Sequence, residues 1–288
     1  MIHITLPDGT RREYDQPLSV FEVAASISLG LAKAAVAGRV NGMLVECGFV
    51  IRQDSRVSIL TAREPQGLEI LRRSCALLLA MAIKQRFSEA TIIGGAVVGD
   101  GFYCELSHEP PLQPEDLPLI ETRMQALAAA NHSMAYLVPC YQLEDVEALG
   151  EGPHVPSTHV IQAFSLEHLV GTTRQRIYGV CWPNQQELDS WRAPQQVVVI
   201  NINERQADYA QSVTETLRRS GLSARSDLRN EKIANKLRHH HQQGVPYLVV
   251  IGDKELDGNF VSVRTGAGEN LGRLPVEGVC ELLRSERL

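Results

Sequence analysis

The sequence predicts a multidomain chain in which α/β and α+β architectures follow one another. Three observations lead there. Residues 195–254 alternate β-branched runs with amphipathic helical stretches in βαβαβ order, the pattern of a sheet with crossover helices. The first 60 or so residues hold several short alternating strands and one helical stretch. Between them, residues 66–87 form a long, mostly apolar segment followed by a glycine-punctuated strand region.

In chain order, residues 2–14 read as a hairpin: Ile2, Ile4 and Leu6 alternate, Pro7-Asp8-Gly9 turns, and a polar strand returns. Leu18–Leu29 has helical spacing, and Ala34–Val40 is a strand. Asn41-Gly42 is a tight turn, Met43–Val45 pairs back, and Arg56–Leu60 closes the set. This is the content of a β-grasp module. Residues 66–87 predict a helix, apolar almost all round between Cys75 and Ile83 and therefore buried. Gln113–Asn131 predicts another helix.

In the last third, Val197 to Ile202 has the composition of a strand buried on both faces. A helix over about 204–220 stops at Gly221, where a C-terminal glycine belongs. A short strand (Ser223–Ser226), a helix from Asn230 to Gln243 and a buried strand (Tyr247–Ile251) complete the unit. On that second helix Ile233 and Leu237 can face the sheet. Lys232, Lys236 and His240 share another face, flanked by Arg229 and Arg238, and these cations suit phosphates or base edges.

Composition sets bounds. Hydrophobic content of 44% and 22% charged residues are ordinary for a soluble globular protein. The net charge of −6 is uneven: residues 1–192 hold 15 Lys+Arg against 22 Asp+Glu, and residues 193–288 hold 13 against 12. A polyanion meets less repulsion at the C-terminal end, through local patches rather than a global field. An aromatic content of 5% argues against a base-stacking single-strand binder. The six cysteines form no CxxC pair, and no secretory signal is evident, which together predict reduced thiols and a cytoplasmic protein. The longest apolar run, Cys75 to Ile83, is too short to span a bilayer.

Familiar catalytic patterns are absent: there is no GxSxG, HExxH or GxGxxG after a strand. Gly94 and Gly99 have P-loop spacing, but Asp100-Gly101 stands where Lys and Ser/Thr are needed, and a carboxylate there repels phosphate. His239-His240-His241 cannot converge on one metal, because successive helical residues point about 100° apart. They are expected to be polar helix-end residues whose protonation adds to the positive face. No metal or cofactor is expected.

Several segments carry a family resemblance. QVVVININ, SDLRNEKIANKLR, GVPYLVVIGDKE and VSVRTGAGENLG resemble the C-terminal anticodon-binding domain of class II aminoacyl-tRNA synthetases, threonyl-tRNA synthetase foremost. KAAVAGRVNGMLVE and VSILTA resemble the TGS domain at that family's N-terminus. LEILRRSCALLLAMAIKQ, GDGFYCEL, GPHVP and QRIYG resemble its second domain, which hydrolyses serine mischarged onto threonine tRNA. The resemblance implies an N-terminal β-grasp TGS domain over 1–62 and an α+β editing-like domain, degenerate and shortened, over 63–182. A linker over 183–193 and an α/β anticodon-binding domain with a mixed sheet over 194–288 follow.

The editing site of that family uses an HxxxH pair plus a cysteine and a histidine in CxGPH. Here Arg73 and Leu77 stand at the HxxxH positions and Gly150 at the cysteine, so of these only His154 matches; Tyr103 belongs to the same degenerate pocket. Neither arginine nor leucine serves as a general base or metal ligand, and glycine has no side chain. Arg73 can still neutralise a phosphate near a tRNA 3′ end. Between Trp182 and Pro194 the family carries its class II catalytic domain, with most of its dimer interface; this chain has only PNQQELDSWRA. Without that domain no aminoacylation is expected, and a monomer is the default.

The resemblance therefore implies a non-catalytic protein that binds RNA, foremost the anticodon arm of threonine tRNA, through Asn201, Arg229, Glu231, Lys232, Lys236 and Arg238. Three alternatives stay open: a trans-acting deacylase of mischarged threonine tRNA with a rebuilt site, a regulator that binds an mRNA mimic of the anticodon arm or modulates a full-length synthetase, and an interaction subunit for another protein. None involves a membrane.

Overall fold

A computed structural model describes residues 1–134, 152–193 and 196–285. It divides into two compact units, Met1–Val97 with Gly101–Leu188, and Val98–Asp100 with Asp189–Leu288.

The first unit begins with a five-stranded sheet ordered β2-β1-β7-β4-β5. Its strands are β1 (Ile2–Thr5), β2 (Arg11–Tyr14), β4 (Ala35–Val40), β5 (Met43–Val45) and β7 (Ser55–Thr61); β3 (Leu18–Ser19) and β6 (Val50–Ile51) pair separately. The β1/β2 hairpin and the turn after β4 form as the sequence predicts, the latter with Asn41 and Gly42 at φ 50° and 88°. Helix α1 (Val20–Ile27) starts at a capping box: Glu22 N–H donates to Ser19 Oγ at 3.2 Å, and Ser19 N–H donates to Glu22 Oε2 at 2.6 Å. A second short helix, α2 (Leu29–Ala34), follows at once because Ser28 caps it, and the sequence pattern did not reveal it.

Helix α3 (Pro65–Arg86) buries every residue from Ser74 to Ile83. It lies with α4 (Leu117–Ala129) on one face of a four-stranded antiparallel sheet, order β10-β11-β9-β8. These strands are β8 (Thr91–Val98), β9 (Gly101–Ser107), β10 (Ala163–Gly171) and β11 (Gln175–Trp182). Phe102, Cys104, Ile177 and Cys181 meet the helices in one core. At the start of α3 the backbone comes so close to β7 that a Cβ on Gly67 would fall 1.9 Å from the Thr61 carbonyl oxygen. Gly67→Ala is therefore expected to destabilise the N-terminal unit by about 2–3 kcal/mol, read as a lower urea midpoint.

The segment expected to act as a linker is helical, α5 (Gln185–Arg192). The second unit then builds a five-stranded mixed sheet, order β13-β12-β14-β15-β16. Strands β12 (Val197–Asn201), β13 (Ala224–Asp227) and β14 (Tyr247–Ile251) are parallel; β15 (Val261–Thr265) and β16 (Asn270–Leu274) return antiparallel. The β-branched run in β12 works as expected. Val197 and Val199 pack on one side with Ala210, Val213 and Leu217 of α6 (Ala207–Arg219), while Val198 and Ile200 pack on the other with Ile233 and Leu237 of α7 (Ile233–Gln242). Helices α8 (Asp253–Gly258) and α9 (Val276–Ser285) complete the unit.

Candidate nucleic-acid interface

Strand β12 is flanked by the two strands that follow it, one on each side, so its carboxyl end is a topological switch point where open α/β sheets leave a crevice. Asn201, Asp227 and Ile251 end the three parallel strands there. The chain beyond Asp227 is irregular up to Lys232, which caps α7 in extended geometry, so the helix begins later than the sequence suggested. Arg229, Glu231 and Lys232 accordingly sit on a loop above the sheet end.

A buried polar network holds that loop. Asp227 Oδ1 accepts from Arg229 Nε at 2.9 Å, and Oδ2 accepts from Arg229 Nη2 at 2.6 Å and from His240 Nε2 at 2.7 Å. Lys236 Nζ donates to Asn201 Oδ1 at 2.8 Å, to the Asn201 carbonyl at 3.0 Å and to the Asp227 carbonyl at 3.2 Å. Asn201 Nδ2 donates to the Asn203 carbonyl at 2.8 Å. Arg229 also pairs with Glu231 at 3.2 Å, and only 9% of its side chain is exposed.

These contacts correct two expectations. Lys236 is fully buried and Asn201 is 1% exposed, so neither reaches out to a polyanion. The helical stripe that faces the sheet runs through Ile233, Lys236, Leu237 and His240, because a 3.6-residue period sets 236 and 240 beside 233 and 237. Burial lowers the Lys236 ammonium to about 8 against the pull of Asp227, which leaves it charged at neutral pH as a structural cation. Lys232 and Arg238 are exposed, and Glu231 is 20% exposed beside them. Ile202, the residue after β12, is 46% exposed, an apolar platform at the same strand end. Asp227, which organises this end, is the residue that sequence reasoning missed; its place at a strand end two residues before Arg229 was the available signal.

His239 and His240 do not add to a positive face. His240 is buried against Asp227, and burial, with the charges of Arg229 and His240, lowers His239 to about 4. An unfolded histidine takes up its proton near pH 6.5, and folded His239 refuses it until about 4. The unfolded state therefore binds more protons in this window, and stability falls as pH drops through it. Burial pushes Asp227 up, but the hydrogen bonds of Arg229 and His240 and the charges of Arg229 and Lys236 outweigh it and hold the carboxyl well below its usual range. Its contribution is complete above the unfolded carboxylate pKa near 4 and is lost as pH falls further. Urea midpoints for the C-terminal unit should thus decline from pH 7 to 4, and His239→Gln should flatten the decline between 6.5 and 4.

The second set of expected residues is only partly brought together. Arg73 pairs with Glu69 at 2.8 Å, and its Nη1 lies 2.5 Å from where a Cβ on Gly152 would stand, so Gly152 makes room for the guanidinium. His154 is buried, with Nδ1 3.4 Å from Ser74 Oγ. That hydroxyl donates to the Ile70 carbonyl at 2.8 Å and accepts from Val155 N–H at 3.0 Å. Its hydrogen is thus committed to the backbone, and it faces His154 as an acceptor rather than as a nucleophile. Leu77 is wholly within the core. Tyr103 departs from expectation: the alternation of β9 turns Phe102 and Cys104 toward α3 and Tyr103 to the opposite sheet face, where it meets Tyr178 and lies under Arg176. Gly150 lies outside the described residues.

An α/β module of this topology and, earlier in the chain, a β-grasp sheet define the class: residues 196–286 match the anticodon binding domain model, and residues 2–61 match the TGS domain model. The relatives narrow it. A threonine–tRNA ligase of Xanthomonas euvesicatoria pv. vesicatoria is 38% identical over 232 residues, covering 66% of this chain and 37% of that protein. One of Polaromonas naphthalenivorans is 39% identical over 231 residues, covering 66% and 36%. The chain is similar to threonyl-tRNA synthetases, and it spans little more than a third of the length of these relatives. Among solved structures, the RNA binding domain of threonyl-tRNA synthetase from Cryptosporidium parvum Iowa II matches at TM-score 0.31 and 15% identity, over 84% of this chain and 64% of that one, too low a score to carry a structural argument. Among the described residues no helix is long and apolar enough to cross a membrane.

Proposed function

We propose that the protein binds the anticodon arm of threonine tRNA through the carboxyl end of β12 and the loop before α7, and that it does so without aminoacylating or deacylating that tRNA. The observation that carries this reading is the buried Asp227–Arg229–Lys236–Asn201 network, whose four polar side chains tie the strand end to the loop that exposes Lys232 and to the helix that exposes Arg238. Those two cations would contact phosphates. Arg229 would act by fixing Glu231, which would meet bases of a splayed loop, and Ile202 would give an unstacked base an apolar floor.

The three modules divide the chain at 1–62, 63–182 and 194–288. The middle one serves as a docking or spacing element, since Arg73 is paired, Leu77 is core and the Ser74 hydrogen is committed to a carbonyl. A deacylation assay on seryl-threonine-tRNA checks the non-catalytic half of the reading. The expected result is release at the uncatalysed rate; release that is abolished by His154→Ala would replace the reading with trans-editing.

A further inference from the structure

The Gly99-Asp100 pair, whose carboxylate rules out a phosphate loop, belongs together with Val98 to the second unit. Val98 packs there against the core that holds Val213, Leu217 and Leu228. Asp100 is 9% exposed and receives Arg218 of α6 through both carboxylate oxygens, Nη1 donating to Oδ1 at 3.1 Å and Nη2 to Oδ2. The same guanidinium donates from Nε to the Ala224 carbonyl at 2.8 Å, so one side chain ties residue 100 to the start of β13. A forked ion pair of this kind fixes orientation as well as distance.

Gly99 meets the far end of that strand. Its φ is 53°, a left-handed conformation, and a Cβ there would stand 3.0 Å from Ser226 Oγ and 3.2 Å from Leu228 Cδ1. Ser226 Oγ in turn donates to Gln211 Oε1 of α6 at 2.9 Å. Ser226, Asp227 and Leu228 lead directly into Arg229 and Glu231. The amides of those two residues donate to Asp227 Oδ1 at 3.2 Å and to the Arg229 carbonyl at 2.9 Å. Among the described residues β13 is an edge strand with β12 as its sheet neighbour, so the chain leaving it has sheet support on one side alone. Residues 98–100 add a second support, set against Leu228 at the root of the loop that exposes Lys232.

We propose that Val98–Asp100 is a clip that sets the loop from Leu228 to Lys232, which makes Gly99 and Asp100 positioning residues for an RNA that neither of them touches. The binding half of this inference rests on the anticodon-arm reading; the loop half does not. Asp100→Asn removes the charge with little change of shape, and Gly99→Ala keeps the ion pair but presses a methyl group onto Leu228. Hydrogen exchange on the free full chain should show the Arg229 and Glu231 amides protected roughly tenfold less in either variant, the effect of one charge-assisted contact, with β12 and β14 unchanged. Affinity for threonine tRNA should fall severalfold in both, because less of the protein is binding-competent, and the salt slope should stay, because no phosphate contact is lost. A carboxylate that acted only through its field would repel RNA, and Asp100→Asn would then raise affinity. Raised or wild-type affinity, wild-type loop protection in both variants, or protection lost equally throughout the sheet would overturn the clip. Failure of the wild-type chain to bind threonine tRNA would sink the anticodon-arm reading instead, and loop protection would then decide the clip alone.

Discussion

Asp227→Ala should cost the C-terminal unit about 3–5 kcal/mol, the penalty for removing one partner from a buried charge cluster. The carboxylate receives Arg229 and His240 directly and lies against the strand end that holds Lys236. Without it, a guanidinium that is 9% exposed and an ammonium that is fully buried share one pocket with no opposing charge from β13. Glu231 offers Arg229 a single contact at the surface, which offsets little. Hydrogen exchange reports the loss where it arises, as reduced amide protection in β12 and β14. Asp227→Asn keeps the shape and part of the hydrogen bonding and should fall between wild type and alanine. Protection in Asp227→Ala equal to wild type would mean that the loop is not held by this network.

Lys232→Ala with Arg238→Ala should weaken tRNA binding by a salt-dependent factor and leave folding intact. Each phosphate contact removed from a single-stranded loop should lower the slope of log K against log salt by about 0.7, so the double variant should lose roughly 1.4 if both side chains touch phosphate. Neither side chain is buried, so the urea midpoint should not move. Lys236→Ala behaves differently: it strips a donor from two buried carbonyls and the Asn201 side chain, and its binding defect should appear together with a stability defect. The two variants thus separate a contacting cation from a structural one.

Most of the fold was legible because its signals are local. The β-branched run of β12, the Asn41-Gly42 turn, the apolar stretch within α3 and Gly221 at the end of α6 each act through backbone geometry or burial within a few residues. The site was less legible, because its organising contacts join residues that are distant in sequence. Lys236 and Asn201 are 35 positions apart and meet only once β12 and α7 are stacked. Polar residues on a helix are ordinarily solvated, which made Lys236 and His240 look outward. The position of Lys236 three residues after Ile233, on the apolar stripe, was the counter-signal. Tyr103 is the same problem in a strand: one residue of alternation decides the face, and only the placement of α3 shows which face is inner.

Selective binding of the anticodon arm is tested most directly by a titration of the full chain against purified threonine tRNA and a non-cognate tRNA at two salt concentrations. Tighter binding of threonine tRNA at both salts, with selectivity lost when its anticodon loop is replaced, is the predicted result. Equal affinity for the two tRNAs at both salts would contradict it.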